Sequence, residues 1–566
     1  MTRFDELTEL LRLQEVGRGA ALSTPFGTRL LYYADSTATG RFVHFVEAWL
    51  SQVRPYYGNT HTAVSSTGRV MSRLREQARH VIRGAVNAGP DDVVVFVGSG
   101  ATAAVNKLVG LLGLRIDEPL EREFSLSSHI PPSQRPVVFV GPYEHHSNEL
   151  PWIESAATVV EVGLDERGRI SIDDLEAKLV SFRDRPLRIG SFSAASNVTG
   201  ILTDVRAVSA ALHRAGALAC FDYAASAPYV PIDMHPADRD ERIDALFVSP
   251  HKFMGGPNAS GVLVAHRSLF RSTRPERPGG GTVDYVGGVG RLQIDYTSRL
   301  DEREEGGTPS IIGDLRAGIA FLLKEMVGAS RILEHEVALA RRAVERLSAH
   351  PRITVYGPAT EPRLSILSFN VQGLHHDFVS TLLDHLFGIQ NRSGCSCAGP
   401  YGHRLLGIEP AQSALYRAQI AAGNLGVKPG WVRVSLPYYA SEQETEFVLR
   451  AIEFVADRGD SFLPLYRLGW KDGIWRHIEH PMRDVEPIEL TPEALRDAAA
   501  KFCAPSPESQ LPGPEIDRER MRYLEEGERI ATELDARWRR DPPVHRTTSG
   551  NPEIDPLIWF RFVHAE

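Results

Sequence analysis

The lysine of Ser249-Pro250-His251-Lys252-Phe253-Met254-Gly255-Gly256 stands between two strand-like apolar runs, residues 245–248 and 261–265, beside a hydroxyl and an imidazole. Most lysines are solvated surface charges. One held at a strand end among apolar residues has its pKa lowered and can form a Schiff base with an aldehyde. Cys220-Phe221-Asp222-Tyr223-Ala224-Ala225 puts a carboxylate directly after another apolar strand. Such an acid either caps a strand end or pairs with a protonated pyridine-type nitrogen and keeps that electron sink charged.

Four further stretches carry reactive groups. Gly98-Ser99-Gly100-Ala101-Thr102 links a strand to a helix start, where free N–H groups and the helix dipole suit an anion. It lacks both the Gly-Lys-Ser/Thr ending of a P-loop and the third glycine of a dinucleotide fingerprint. Glu144-His145-His146-Ser147-Asn148 offers two adjacent histidines for stacking, proton transfer or a purely structural role. The pair makes no i, i+4 zinc face, and no Cys-x-x-Cys accompanies it. Arg392-Ser393-Gly394-Cys395-Ser396-Cys397-Ala398-Gly399-Pro400 sets two thiols among small residues. Its composition predicts an exposed, flexible loop whose thiolate can attack or carry sulfur, against the plainer reading of a buried apolar cysteine. Arg433, on a short strand beginning at Trp431, joins Arg392 as a fork for a substrate carboxylate.

The elements that must position these groups alternate. A β-branched run at 93–97 suits a strand buried on both faces. Further strands are predicted at 137–140, 158–162, 187–191, 218–221, 245–248 and 262–265, with helical patterns at 103–112, 172–183 and 205–215. That rhythm predicts an α/β domain with a mostly parallel sheet. Residues 117–123 and 131–136 read as surface loop. A helix-rich stretch over 311–348 is followed by short strands and helices of α+β type. The expected layout is an N-terminal segment, 1–45, joining the smaller domain; a large domain, 46–310; the smaller domain, 311–457; and an appended helical or irregular segment, 458–566. In the last, Phe462, Tyr466, Trp470 and Trp475 mix with prolines and charged helices at 492–502 and 515–540, without sheet patterning.

A chain of 566 residues implies more than one domain, and 42% hydrophobic with 24% charged residues is a globular composition. The net charge of −9 and the lack of any Lys/Arg run argue against a nucleic-acid partner. No stretch of apolar residues is long enough to span a membrane, and residues 1–6 carry no apolar signal core, so a cytoplasmic protein is expected. Four cysteines, Cys220, Cys395, Cys397 and Cys503, make no disulfide framework.

Taken together, Ser-x-His-Lys before Gly-Gly, the strand-end Asp222, Glu144–Asn148 with Pro151-Trp152, and Ser196-Asn197-Val198-Thr199-Gly200 resemble the class V aminotransferases over about residues 30–455. These are fold type I enzymes dependent on pyridoxal 5′-phosphate. The 392–400 loop is similar to the Arg-Thr-Gly-x-x-Cys-Ala-x-Pro loop of the cysteine desulfurase/selenocysteine lyase branch. The resemblance implies Lys252 as Schiff-base lysine and proton shuttle, Asp222 on the pyridine nitrogen and His145 stacked on the ring. It implies Ala101, Thr102, Ser249 and His251 around the phosphate. Thr308 would reach the phosphate of a partner subunit, hence a homodimer. Asn197 would lie near ring and substrate, Arg392 and Arg433 would bind the amino-acid carboxylate, and Cys397 would become a persulfide as a C–S or C–Se bond breaks and alanine forms. A sulfur-acceptor protein follows from such chemistry. Cys395 falls where the family varies. Two features depart from the pattern: Ala225 replaces a glutamine that bonds the cofactor's phenolic oxygen, and 401–430 is longer than usual. The alternatives are another class V enzyme (a C–S lyase, aminotransferase or epimerase) with Cys397 a bystander, and a degenerate binding protein.

Overall fold

The β-branched run at 93–97 becomes the first strand of a seven-stranded sheet in a computed structural model that describes residues 3–62, 64–287, 293–480, 491–493, 496 and 513–565. The strands are β1 (Asp92–Val97), β2 (Val137–Val140), β3 (Thr158–Glu161), β4 (Arg188–Ser193), β5 (Leu218–Asp222), β6 (Ala245–Val248) and β7 (Gly261–His266). Their order is β1-β7-β6-β5-β4-β2-β3. Only β7 runs against the others, pairing antiparallel with both β1 and β6. The α/β reading of the sequence is the fold observed.

Alternate residues of each strand serve opposite faces, the period-two rule of a pleated strand. Val94, Phe96, Phe139, Phe221, Leu246 and Val248 enter one apolar cluster; Val95, Val138, Val140, Cys220 and Phe247 enter the other. Both faces are covered, so β2 and β6 are buried at every position and read in sequence as continuous apolar runs.

A second, antiparallel sheet joins β8 (Ile353–Val355), β9 (Ile366–Val371), β10 (Arg392–Gly394) and β11 (Trp431–Ser435) in the order β8-β9-β11-β10. The helices Ala329–Ser348, His376–Phe387 and Glu442–Arg458 share its apolar cluster. The N-terminal residues Tyr32–Tyr33 pair in parallel with Ile389–Gln390 next to this sheet.

Two stretches differ from their sequence reading, and a third, 401–430, has no predicted element. Residues 118–124 are helical, where exposed Glu118 and Arg122 pair across one turn at 2.6 Å; with no buried face the helix leaves no apolar period. The stretch after the cysteine loop is two helices, Gly399–Leu406 and Pro410–Ala421. The appended segment contains a small sheet, Tyr466–Leu468, Trp475–His477 and His564–Ala565. Its strands are too short to show alternation, and the third comes from the far end of the chain. The predicted helix over 515–540 runs from Gly513 to Arg540. Most of the helix expected at 492–502, together with Cys503, lies outside the described residues.

The Gly513–Arg540 helix is fastened to the N-terminal segment through buried charges. Arg520 donates to Glu444 at 2.6 Å, Arg18 donates to the same oxygen at 2.8 Å, and the Arg520 guanidinium lies 4.9 Å from the Tyr32 ring centre. Burial raises the Glu444 pKa, but Arg520 and Arg18 outweigh it and hold the carboxyl at about 2. The Tyr523 hydroxyl accepts the Leu30 N–H at 2.6 Å. Removing one partner of such a buried group costs on the order of 3 kcal/mol. Arg520→Ala is therefore expected to lower the thermal unfolding midpoint, read by circular dichroism; an unchanged midpoint would show that the cluster contributes nothing. The Glu444 contribution is present above its unfolded pKa of about 4.5 and is lost as pH falls toward 2.

Candidate active site

The parallel strands deliver their C-terminal ends to one edge of the large sheet, where open α/β sheets bind ligands. Gly98–Ala101 follows β1, Glu144-His145 follows β2, Asp222 ends β5 and Ser249–Lys252 follows β6. Because β5 and β6 are adjacent and parallel, with Asp222 opposite Phe247, the aspartate and the lysine open into the same cavity.

That cavity, about 230 Å³, is lined by Lys252, Asp222, His145, Ala101, Thr102, Asn197, Ser249, His251, Arg392, Arg433 and Cys397. Eleven residues singled out from the sequence thus meet in one place. Thr308 is not among them. It is exposed, and its hydroxyl accepts from Asn59 Nδ2 at 3.1 Å.

Burial sets the electrostatics. Lys252 is lowered by desolvation to about 8, against the pull of Asp222 and with the help of the nearby arginines. Desolvation raises Asp222, opposed by the Ala224 N–H that its Oδ1 accepts at 2.8 Å and by Lys252. His145, desolvated and beside the lysine, is lowered to about 3, and desolvation takes His251 to about 4. Both imidazoles are neutral at pH 7. His145 Nδ1 accepts the Ser147 N–H at 3.1 Å and so caps the helix His146–Ile153.

Sequence reasoning missed two carboxylates. Asp35 bridges the arginine pair: its Oδ2 accepts from Arg392 Nε at 3.1 Å and its Oδ1 from Arg433 Nη2 at 3.0 Å. The only signal was a charge where the strand through Tyr33 gives way to a polar turn. Glu144, buried below the cavity, accepts from Ser193 Oγ at 2.6 Å and Asn148 Nδ2 at 2.7 Å; burial pushes it up to about 7 despite these donors. It anchors Ser193 and the turn carrying His145.

The cysteine loop is pinned rather than free. Asn197 Nδ2 donates to Ser396 O at 2.8 Å, and the His146 N–H donates to Cys397 O at 2.9 Å. Ser396 and Cys397 have φ of +49° and +55°, a left-handed backbone that costs roughly 1–2 kcal/mol per residue away from glycine. Cys397 is exposed and Cys395 half-buried.

The lining suits a phosphorylated pyridoxal. The helix Gly100–Leu111 starts at the cavity with no side-chain cap from Ser99; the Ala101 N–H donates to Ser249 Oγ at 2.9 Å, and the helix's positive end still favours an anion there. Gly100 is required there: its φ is +57°, and an added Cβ would fall 2.5 Å from Ser249 Oγ. Among the described residues Asn197 Oδ1 is buried without a partner, an acceptor at the cavity wall. Lysine amine, aspartate and anion-binding turn are the donor set an aldehyde, a ring nitrogen and a phosphate require.

The seven-stranded fold and this lining define a pyridoxal-dependent enzyme of fold type I. The family described as aminotransferase class-V matches residues 32–448, and the chain belongs to it. A protein of Halalkalibacterium halodurans named "Probable cysteine desulfurase" is 32% identical over 376 residues, covering 65% of this chain and 84% of its own. One of the same name from Streptomyces coelicolor is 28% identical over 376 residues, with shares of 65% and 84%. The apo structure of cysteine desulfurase from Thermococcus onnurineus superposes with a TM-score of 0.61 at 26% identity, covering 75% of this chain and 95% of that one. A cysteine desulfurase structure from Escherichia coli, at 22% identity and TM-score 0.60 over 80% and 98% of the two chains, shows the shared fold. Residues beyond 448 lie outside the family match. Members of this family work with pyridoxal 5′-phosphate.

Gly100→Ala combines a left-handed alanine with a displaced Ser249 hydroxyl. Titration of the cofactor-free protein with pyridoxal 5′-phosphate, followed by absorbance, is expected to show at least about tenfold weaker binding. Equal affinity would remove this turn from the cofactor site.

Proposed function

We propose that this enzyme cleaves the C–S, or C–Se, bond of a cysteine-like amino acid, releasing alanine and leaving a persulfide on Cys397. The observation that carries the reading is one cavity lined by Lys252, Asp222, both arginines and Cys397. Bound there through Lys252, with His145 against its ring and Asp222 on its nitrogen, pyridoxal 5′-phosphate would supply an electron sink for charge developing at the substrate Cα. Ala101, Thr102, Ser249 and His251 hold the phosphate in this reading.

The chain's own residues do the rest. Arg392 and Arg433, held by Asp35, take the substrate carboxylate and fix the orientation of Cα. Lys252, desolvated to about 8, moves a proton at Cα near neutral pH. Asn197 sits between the loop and Arg433, whose Nη1 donates to Asn197 O at 3.0 Å. Cys397, exposed on its turn, attacks the substrate sulfur. Ala225 in place of the family glutamine leaves the cofactor's phenolic oxygen one donor short.

A homodimer is part of the proposal. Thr308 is exposed, and exposed Tyr56, Tyr57 and Val64 flank the loop on which Asn59 contacts it. A partner seated there would cover those apolar side chains and bring Thr308 to its phosphate. So are the layout of a large domain over 46–310, a smaller one over 311–457 joined by residues 1–45, and an appended segment over 458–566. A sulfur-acceptor protein completes the cycle. Free Cys395 and Cys397 suit a reducing, cytoplasmic compartment, and no helix among the described residues is long and apolar enough to cross a membrane.

With L-cysteine and a reducing thiol, which releases the persulfide sulfur as sulfide, the holoenzyme is expected to form alanine and sulfide, and Cys397→Ser to lose persulfide while the cofactor's absorbance still responds to substrate. Full turnover by Cys397→Ser on every thiol-bearing amino acid would favour a lyase, aminotransferase or epimerase instead. Asp35→Asn withdraws charge-assisted hydrogen bonds worth about 1.5–3 kcal/mol from the arginine fork. Its KM for the amino acid is expected to rise at least about tenfold with a smaller change in kcat. An unchanged KM would show that the fork needs no holder.

A further inference from the structure

The cysteine loop hands its two thiols to two different cavities. Cys395-Ser396-Cys397-Ala398 closes on an Ala398 N–H to Cys395 O bond of 3.1 Å, with both central residues left-handed. That is type I′ geometry, ordinarily filled by Asn and Gly. From this turn Cys397 lines the cavity of Lys252. Cys395 lines a separate one of about 460 Å³, walled by Leu406, Tyr416, Ile420 and Trp431. The helices Gly399–Leu406 and Pro410–Ala421 supply most of that wall. Trp431 is fully buried, and its indole N–H is without a hydrogen-bond partner among the described residues. That N–H has no accessible surface, so what the second cavity offers is the Cys395 thiol in largely apolar surroundings.

We propose that Cys395 is a second sulfur carrier, taking the sulfane sulfur from Cys397 and holding it in the apolar cavity for a thiol acceptor. The step rests on the desulfurase reading. The Cys395 thiolate attacks the outer sulfur of the Cys397 persulfide; the bond between the two Cys397-borne sulfurs breaks, and Cys397 leaves as thiolate. The proton given up by Cys395 is returned to Cys397. One sulfur atom changes carrier, and no oxidant or reductant is consumed. Residues two apart in a tight turn have Cα atoms about 5–7 Å apart, within the range in which cysteine sulfurs meet. Gly394, at the end of β10 just before the turn, has φ of +100°, with open space where a side chain would stand. Transfer empties the Lys252 cavity for the next substrate. It also moves the sulfur out of the Lys252 cavity and beside the 399–421 helices.

The test maps sulfane sulfur on the holoenzyme. Full-length protein is mixed with L-cysteine without oxygen, quenched at intervals with an alkylating reagent, and each cysteine peptide is weighed for one extra sulfur. The expected result is sulfur on Cys397 first and on Cys395 later. In Cys395→Ser it stays on Cys397, and in Cys397→Ser the Cys395 signal is lost. Ile420→Trp, which fills the second cavity, should lower the Cys395 signal severalfold relative to that on Cys397. Sulfur confined to Cys397 while alanine accumulates would overturn the relay and leave the desulfurase reading standing. A Cys395–Cys397 disulfide with released sulfide, or Cys395 labelling that survives Cys397→Ser, would also overturn it. Absence of alanine and of sulfane sulfur on either thiol would overturn both.

Discussion

The placement of one amine out of water is the constraint on which the active site depends. Lys252 stands where β6 ends, and desolvation brings its pKa down to about 8. Asp222 sits at the end of the adjacent parallel strand and opposes that shift. The sheet must bury both faces to deliver these ends, and its two apolar clusters do so with alternate residues of the same strands. Core packing and site chemistry are thus one requirement: a slip of β5 by one residue would turn Asp222 away from the cavity.

A second chain of contacts runs through the arginines. Asp35 joins Arg392 on β10 to Arg433 on β11 and follows the short strand Tyr32–Tyr33. That strand pairs with Ile389–Gln390 on one side. The Gly513–Arg540 helix bonds the two residues just before it, Arg520 donating to Leu31 O and the Tyr523 hydroxyl accepting the Leu30 N–H. A helix beyond the family match is therefore packed within a few residues of the carboxylate that holds the fork. Burial of the Arg18–Glu444–Arg520 cluster gives the appended segment a structural reason to be there.

Much of this was readable beforehand, and the reasons are local. Strands covered on both faces announce themselves as apolar runs, and a reactive residue at a strand end is visible as a charge where the run stops. Lys252, Asp222 and the Gly98–Thr102 turn were found that way. Asp35 was not, because its function comes from two arginines more than 350 positions away, which bond it at 3.0 and 3.1 Å. The left-handed turn at Ser396-Cys397 could not be read either: neither residue favours that backbone, and bonds from Asn197 and His146 impose it. The sheet of the appended segment escaped because strands of two or three residues have no period. Thr308 shows the remaining gap. The role proposed for it lies with a partner subunit, and in the single chain Thr308 is exposed outside the cavity.

The central claim, that buried Lys252 is tuned by desolvation against Asp222, is tested most directly by titrating that amine. In cofactor-free protein the pH dependence of Lys252 modification by an amine-reactive probe, read by peptide mapping, should have its midpoint at about 8. In Asp222→Asn, with the opposing charge gone, the midpoint should move lower still. A wild-type midpoint at the ordinary lysine value of 10.5, or a midpoint that stays or rises in Asp222→Asn, would contradict the account.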